Sequence, residues 1–144
     1  MSRWWQKISA LDALQWRYLA LSLVLLPAID VSLRCVGFRR TKRWLEARVK
    51  SPEAKVSGNS VEATAAQIAA VVSLAGRRSL WPTSCLRQAL GLWVLLARRG
   101  IASEVRVGIE STPDAGFAAH AWVERNDQVL IGGEHARERY VTLL

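Results

Sequence analysis

The spacing of apolar residues changes near residue 100, and that change most limits what this chain can fold into. Leu86, Ala89, Leu90, Trp93, Val94 and Ala97 recur at helical spacing and form one core-facing stripe of a helix from Cys85 to Arg99. Pro82 holds Trp81 extended ahead of that helix, and either Thr83 or Ser84 can cap it. Arg98 and Arg99 suit the negative end of the helix dipole, and Gly100 can take the left-handed conformation that closes a helix. Beyond it the period is two. Glu104 to Ile109 alternates as a half-buried strand, and Ser111 to Gly116 reads as a turn or loop. Phe117 to Arg125 is a second strand, with His120, Trp122 and Glu124 on one face and Ala119, Ala121 and Val123 on the other. Asn126-Asp127 is a two-residue hairpin signal, and Gln128 to Ile131 returns. Helices followed by a small antiparallel sheet make an α+β fold.

Upstream the pattern is helical throughout. Ser9, with Asp12 three residues on, predicts a first helix running to about Leu26 and broken by Pro27. A second segment, Ile29 to Val49, carries most of the positive charge. Ser51 to Ser60 reads as a linker, and Ser60 as the cap of a helix from Val61 to Ala75 that ends at Gly76. The division predicted is a basic helical segment over 1–56 and a core over 57–144, packed as one unit.

The net charge of +8 suggests an anionic partner. It is concentrated between Arg34 and Lys55, where eight basic residues face only Glu46 and Glu53. Such a cluster is either a solvated surface or a functional patch. A nucleic-acid module is disfavoured, because the aromatic residues are mostly helical tryptophans rather than a strand platform. The apolar run Tyr18 to Ile29 lies behind Asp12 and Arg17 and precedes Asp30, unlike a secretory signal. At twelve uncharged residues it falls short of the roughly 20 that cross a bilayer. The expected location is cytoplasmic, with peripheral membrane contact through Trp4, Trp5, Trp16 and Tyr18 beside Arg3, Lys7 and Arg17. With no oxidising compartment indicated, Cys35 and Cys85 are read as free thiols.

Cys85 falls at the first turn of the strongest helix, where unpaired N–H groups and the dipole favour an anion and hence a thiolate. A lone cysteine in an apolar helix is more often a small buried hydrophobe. His120, one of two histidines, stands mid-strand in an otherwise apolar run. A helix start packed on an antiparallel sheet is one way to bring a strand imidazole to a helix thiolate.

Cys85-Leu86-Arg87, Leu95-Leu96-Ala97-Arg98-Arg99-Gly100-Ile101, Val105-Arg106-Val107-Gly108-Ile109 and Phe117-Ala118-Ala119-His120-Ala121-Trp122-Val123-Glu124 resemble the transglutaminase-like B proteins of lasso-peptide clusters, in their split B2 form. The resemblance runs from about Trp81 to Ile131 and includes the microcin-processing type. It implies a papain/transglutaminase-like fold and a Cys-His-Asp triad that removes the leader from a bacterial, ribosomally made precursor peptide. It implies no cofactor and no metal. Its implied partners are a separate leader-recognition protein and an asparagine-synthetase-like ATP-dependent cyclase, which closes the ring on the freed amine.

The chain departs from that pattern at the acid. The family's Asp lies about twelve residues beyond the His, where this chain has Gly132-Gly133. Asp127 sits in the hairpin turn, about 23 Å of extended strand from His120. Glu134 is a candidate third member if the strand bulges after the glycines. His135 or a backbone carbonyl could also accept from the imidazole Nδ1–H. Trp81 and Trp122 are candidate walls of a substrate site, with core packing the competing role. Two other functions are compatible with the chain: an impaired enzyme kept as a scaffold, and acyl transfer to an amine through the same thioester.

Overall fold

A computed structural model describes residues 9, 11–49, 58–78, 84–112, 116–133 and 135–143. Among the described residues four long helices precede the sheet: α1 (Ala13–Val36), α2 (Phe38–Arg48), α3 (Asn59–Arg78) and α4 (Cys85–Arg98). Strands β1 (Glu104–Thr112), β2 (Gly116–Arg125) and β3 (Gln128–Ile131) follow, then a short helix α5 (Ala136–Arg139) and β4 (Val141–Thr142). The four strands lie in the order β3-β2-β1-β4, all neighbours antiparallel. This is the α+β arrangement that the change of period predicts.

Helix α1 corrects the expected break at Pro27. It runs 24 residues, through the proline to Val36. Pro27 removes one backbone donor on the exposed side of the helix. Leu26 and Ile29 hold the opposite side in the core, at 1% and 2% exposure. The helix starts later than expected, with Asp12 as N-cap and its N–H donating to Gln15 Oε1 at 3.0 Å. What ends it is Gly37, at φ +80°, so the basic segment is a separate helix rather than a continuous one from Ile29.

Helix α3 also differs from expectation. It begins at Asn59 rather than being capped by Ser60, and it continues past Gly76. A side chain at Gly76 would meet that of Gln88, so the glycine lets α3 and α4 approach closely. Of the expected linker from Ser51 to Ser60, residues 51–57 lie outside the described residues, and Asn59 and Ser60 are already helical.

One apolar cluster joins α1, α3, α4 and the sheet: Leu26, Ile68, Val72, Leu92 and Leu96 meet Ala121 and Val123 of β2. A second, around Ile29, Leu45, Leu90 and Val94, seats α2. Two ion pairs stitch these layers at points where charge is buried. Arg87 of α4, 4% exposed at its side chain, lies 3.1 Å from Asp30 of α1. Arg125 at the end of β2, 2% exposed, lies 3.0 Å from Glu62 of α3 and donates to the Ala102 carbonyl at 2.6 Å. A buried guanidinium is tolerable only when paired in this way.

Helix α4 closes as its sequence demands. Gly100 takes φ +79°, while its N–H donates to Ala97 O and that of Ile101 to Leu96 O, the paired bonds of a Schellman motif. The chain then enters β1, whose register on β2 sets Gly108 opposite His120. Asn126 and Asp127 take φ of +46° and +62°, the left-handed pair of a type I′ hairpin. Val123 faces Ile131 whereas Glu124 faces Val129, so Leu130 is the extra residue of a bulge. That bulge precedes Gly132-Gly133; the expectation set it after them.

Candidate active site

Cys85 is the first residue of α4, as expected. Ser84 is its N-cap, in extended backbone, and the Ser84 side chain accepts from the Arg87 N–H at 3.4 Å. Ser84 therefore takes the role that the sequence left open between it and Thr83. The Cys85 thiol is free and half-buried, packed against the main apolar cluster. Two residues on, the Arg87–Asp30 pair fastens the start of α4 to α1, and Asp30 also pairs with Arg34 at 3.1 Å. The helix start is thereby held from two sides, by its cap and by a buried charge. Its first backbone N–H groups, that of Cys85 among them, have no acceptor within the helix.

His120 sits on the face of β2 that carries Trp122 and Glu124, while Ala121 and Val123 enter the helical core. Tyr140, brought in by the pairing of β4 with β1, stacks on the imidazole at 4.8 Å between centroids. Trp122 lies behind at 6.3 Å. Gly108 makes this stack possible, because a side chain there would come within 3 Å of both the Tyr140 Cβ and the Trp122 ring. Trp122 is fully buried, and its indole N–H donates to Glu124 at 2.7 Å. It supports the imidazole from behind and presents no surface of its own to a substrate.

The imidazole Nε2 is 2.5 Å from the carbonyl oxygen of Gly132, twelve residues on in the chain. A carbonyl only accepts, so Nε2 carries the hydrogen and, in the neutral ring, Nδ1 keeps its lone pair. The sequence reading had the opposite nitrogen donating. Gly132 reaches this place because it is glycine. Its φ is +109°, and a Cβ there would fall 2.5 Å from the Trp122 Cβ. A backbone carbonyl thus occupies the sequence register in which the family acid was expected.

The other sequence candidates separate clearly. Asp127 is in the hairpin turn beside Arg137, 3.3 Å away. His135 is exposed and faces Glu138 on its own helix, 3.5 Å away. Glu134 and Trp81 lie outside the described residues. Among the described residues, no hydrogen bond joins the Cys85 thiol to the His120 imidazole.

Sequence reasoning missed Tyr140 and Gly108 altogether. Tyr140 gave no signal, since only the long-range addition of β4 to the sheet edge brings it to the imidazole. Gly108 had one: a glycine inside an alternating strand marks a close approach.

A capped helix with a free thiol at its start, laid on an antiparallel sheet whose other face holds an oriented imidazole, defines an α+β protein. The model of the transglutaminase-like superfamily matches residues 25–144, and the chain belongs to that superfamily, which includes cysteine peptidases and acyl transferases. Comparison with characterised proteins and with solved structures gives no significant match. The family match starts within α1, so the second half of that helix and all of α2 belong to the matched region.

Proposed function

We propose that this protein is a cysteine peptidase that cleaves the leader from a ribosomally made lasso-peptide precursor, with Cys85 as nucleophile and His120 as base. The observation that carries the reading is the Nε2–H bond from His120 to the Gly132 carbonyl, because it fixes the ring and leaves Nδ1 as the basic atom. The position of Cys85 at the capped start of α4 supports it. Arg125 ties the end of β2 to Ala102, just past the end of α4. From its end α4 runs back about 20 Å to Cys85, and β2 runs about 17 Å from Arg125 to His120. Cys85 packs on the helical side of the sheet and His120 stands on its other face, so substrate binding has to bring the two together. Catalytic hydrogen bonds are often long before substrate binds and tighten in the complex.

In this mechanism Nδ1 of His120 takes the thiol proton as sulfur attacks the scissile carbonyl. The Cys85 N–H, which has no acceptor within the helix, stabilises the oxyanion. The C–N bond breaks, and the imidazolium returns its proton to the departing amine of the core peptide. The leader stays on sulfur as a thioester until water, deprotonated by His120, releases it as a carboxylate. The role of the triad acid is taken by the Gly132 carbonyl, which orients the ring but adds no negative charge. The freed amine is the group that an asparagine-synthetase-like ATP-dependent cyclase would join to a side-chain carboxylate. A separate leader-recognition protein would present the precursor.

The test is reconstitution. The protein is incubated with the precursor peptide and recognition protein encoded beside it, and the products are weighed by mass spectrometry. Separate leader and core peptides, abolished by Cys85→Ala, support the reading. Unchanged cleavage by Cys85→Ala overturns it, and a leader found joined to an added amine instead of water makes the protein an acyl transferase.

A further inference from the structure

We infer that α1 and α2 together form a docking face for an anionic lipid surface, on which the protein lies without crossing it. The inference is independent of the peptidase reading. Helix α1 is long and apolar enough to span a bilayer. Its two sides differ, however. Tyr18, Leu19, Ser22, Leu26 and Ile29 are buried against the protein, and Asp30 is held by Arg87 of α4. To cross a membrane the helix would have to leave that core and break the ion pair of a buried guanidinium, at a cost of about 3–5 kcal/mol for the pair alone. The opposite side is an apolar stripe in solvent, with Arg17 near one end and Arg34 near the other. Trp16, Leu23, Val24 and Val31 recur along it at helical spacing, Val24 being 73% and Val31 60% exposed. From Trp16 to Val36 it extends about 30 Å.

The stripe continues into a groove between α1 and α2, of about 520 Å³, whose walls include Leu25, Val31, Val36 and Trp44. The rim of this groove is basic. Arg40 lines it, Arg39 and Arg43 are exposed on the same helix, and the exposed Trp44 carries Arg48 across its ring at 4.3 Å. Apolar residues and tryptophans on one surface, edged by arginines, are the composition that buries a helix face at the boundary of headgroups and acyl chains. The arginines select anionic headgroups, and their long stems reach them while the apolar face sinks. A patch of this length is uncommon on a monomer that has nothing to cover it.

The experiment is co-sedimentation of the full chain with phosphatidylcholine vesicles, with and without phosphatidylglycerol. Expected is binding to the anionic vesicles at least tenfold tighter than to the neutral ones, weakened by salt, with a blue shift in tryptophan emission. The double variant Val24→Glu/Val31→Glu and, separately, Arg40→Glu/Arg43→Glu should each lose at least tenfold in binding while keeping the native circular dichroism. No binding, or equal binding to both vesicles, overturns the inference. So does protein that resists an alkaline wash of the vesicles, which would mean insertion across them. A dimer in solution that Val24→Glu/Val31→Glu dissociates would assign the face to a second copy of the chain instead.

Discussion

The His120 imidazole donates through Nε2 to the carbonyl oxygen of Gly132. That contact sets the ring with Nδ1 as its basic nitrogen, and it uses a backbone atom where the family pattern has a carboxylate. A carbonyl cannot be removed by substitution, but the glycine that delivers it can.

Gly132→Ala should destabilise the protein by about 2–4 kcal/mol, combining left-handed backbone strain with a clash against the Trp122 Cβ. Gly133→Ala is the control. It has φ +99° but open space around its Cβ, so only the strain, about 1–2 kcal/mol, applies. Thermal unfolding of both variants measures the difference, and equal losses would show that the close approach to β2 carries no energy.

Cys35 and Cys85 are both free, Cys35 the more exposed. In a Cys35→Ser background, one equivalent of iodoacetamide should label Cys85 and abolish cleavage. His120→Ala should lower the rate by about 10²–10⁴-fold with little change in fold, the range for loss of a general base. In the same background 1,3-dibromoacetone, which bridges a thiol and an imidazole, should join Cys85 to His120. A Cys85-labelled protein with no such bridge in its peptide map would put the two residues out of reach of each other.

Asp30→Ala should cost about 2–4 kcal/mol, because it strips Arg87 of its carboxylate in a site where the guanidinium is almost fully buried. The same substitution at Glu46, whose pair with Lys42 is exposed, should cost under about 1 kcal/mol. Urea unfolding of the two variants makes the comparison. Asp30→Ala should also slow cleavage, since the start of α4 and the Cys85 thiol share that anchor.

Tyr140→Ala removes the ring stacked on His120 and should destabilise by about 1–3 kcal/mol, part from apolar burial and part from the aromatic contact. Tyr140→Phe keeps the stack and should be close to neutral. The His120 ring resonances in an NMR spectrum should shift with Tyr140→Ala and stay with Tyr140→Phe.

The sequence alone determined the elements whose signals are local. The stripe from Leu86 to Ala97, its cap and Gly100 specify α4, because capping and periodicity act within a few residues. The alternation after Glu104 and the Asn126-Asp127 turn specify the hairpin and its register near the turn for the same reason. Cys85 and His120 could be named because the one starts that helix and the other interrupts an apolar strand. Pro27 misled, since an isolated proline is a strong local breaker. The core held by Leu26 and Ile29 overrides it, a contribution visible only once α3 and α4 are in place. The partners of His120 were legible only in part: the family register pointed to Gly132-Gly133, but not to which atom there would bond. Its acceptor is a main-chain oxygen, which every residue possesses and no sequence pattern singles out. Its stacking ring lies just before β4, a strand of two residues too short to show a period. Tertiary structure decided these points because it brings distant, chemically ordinary groups within bonding distance.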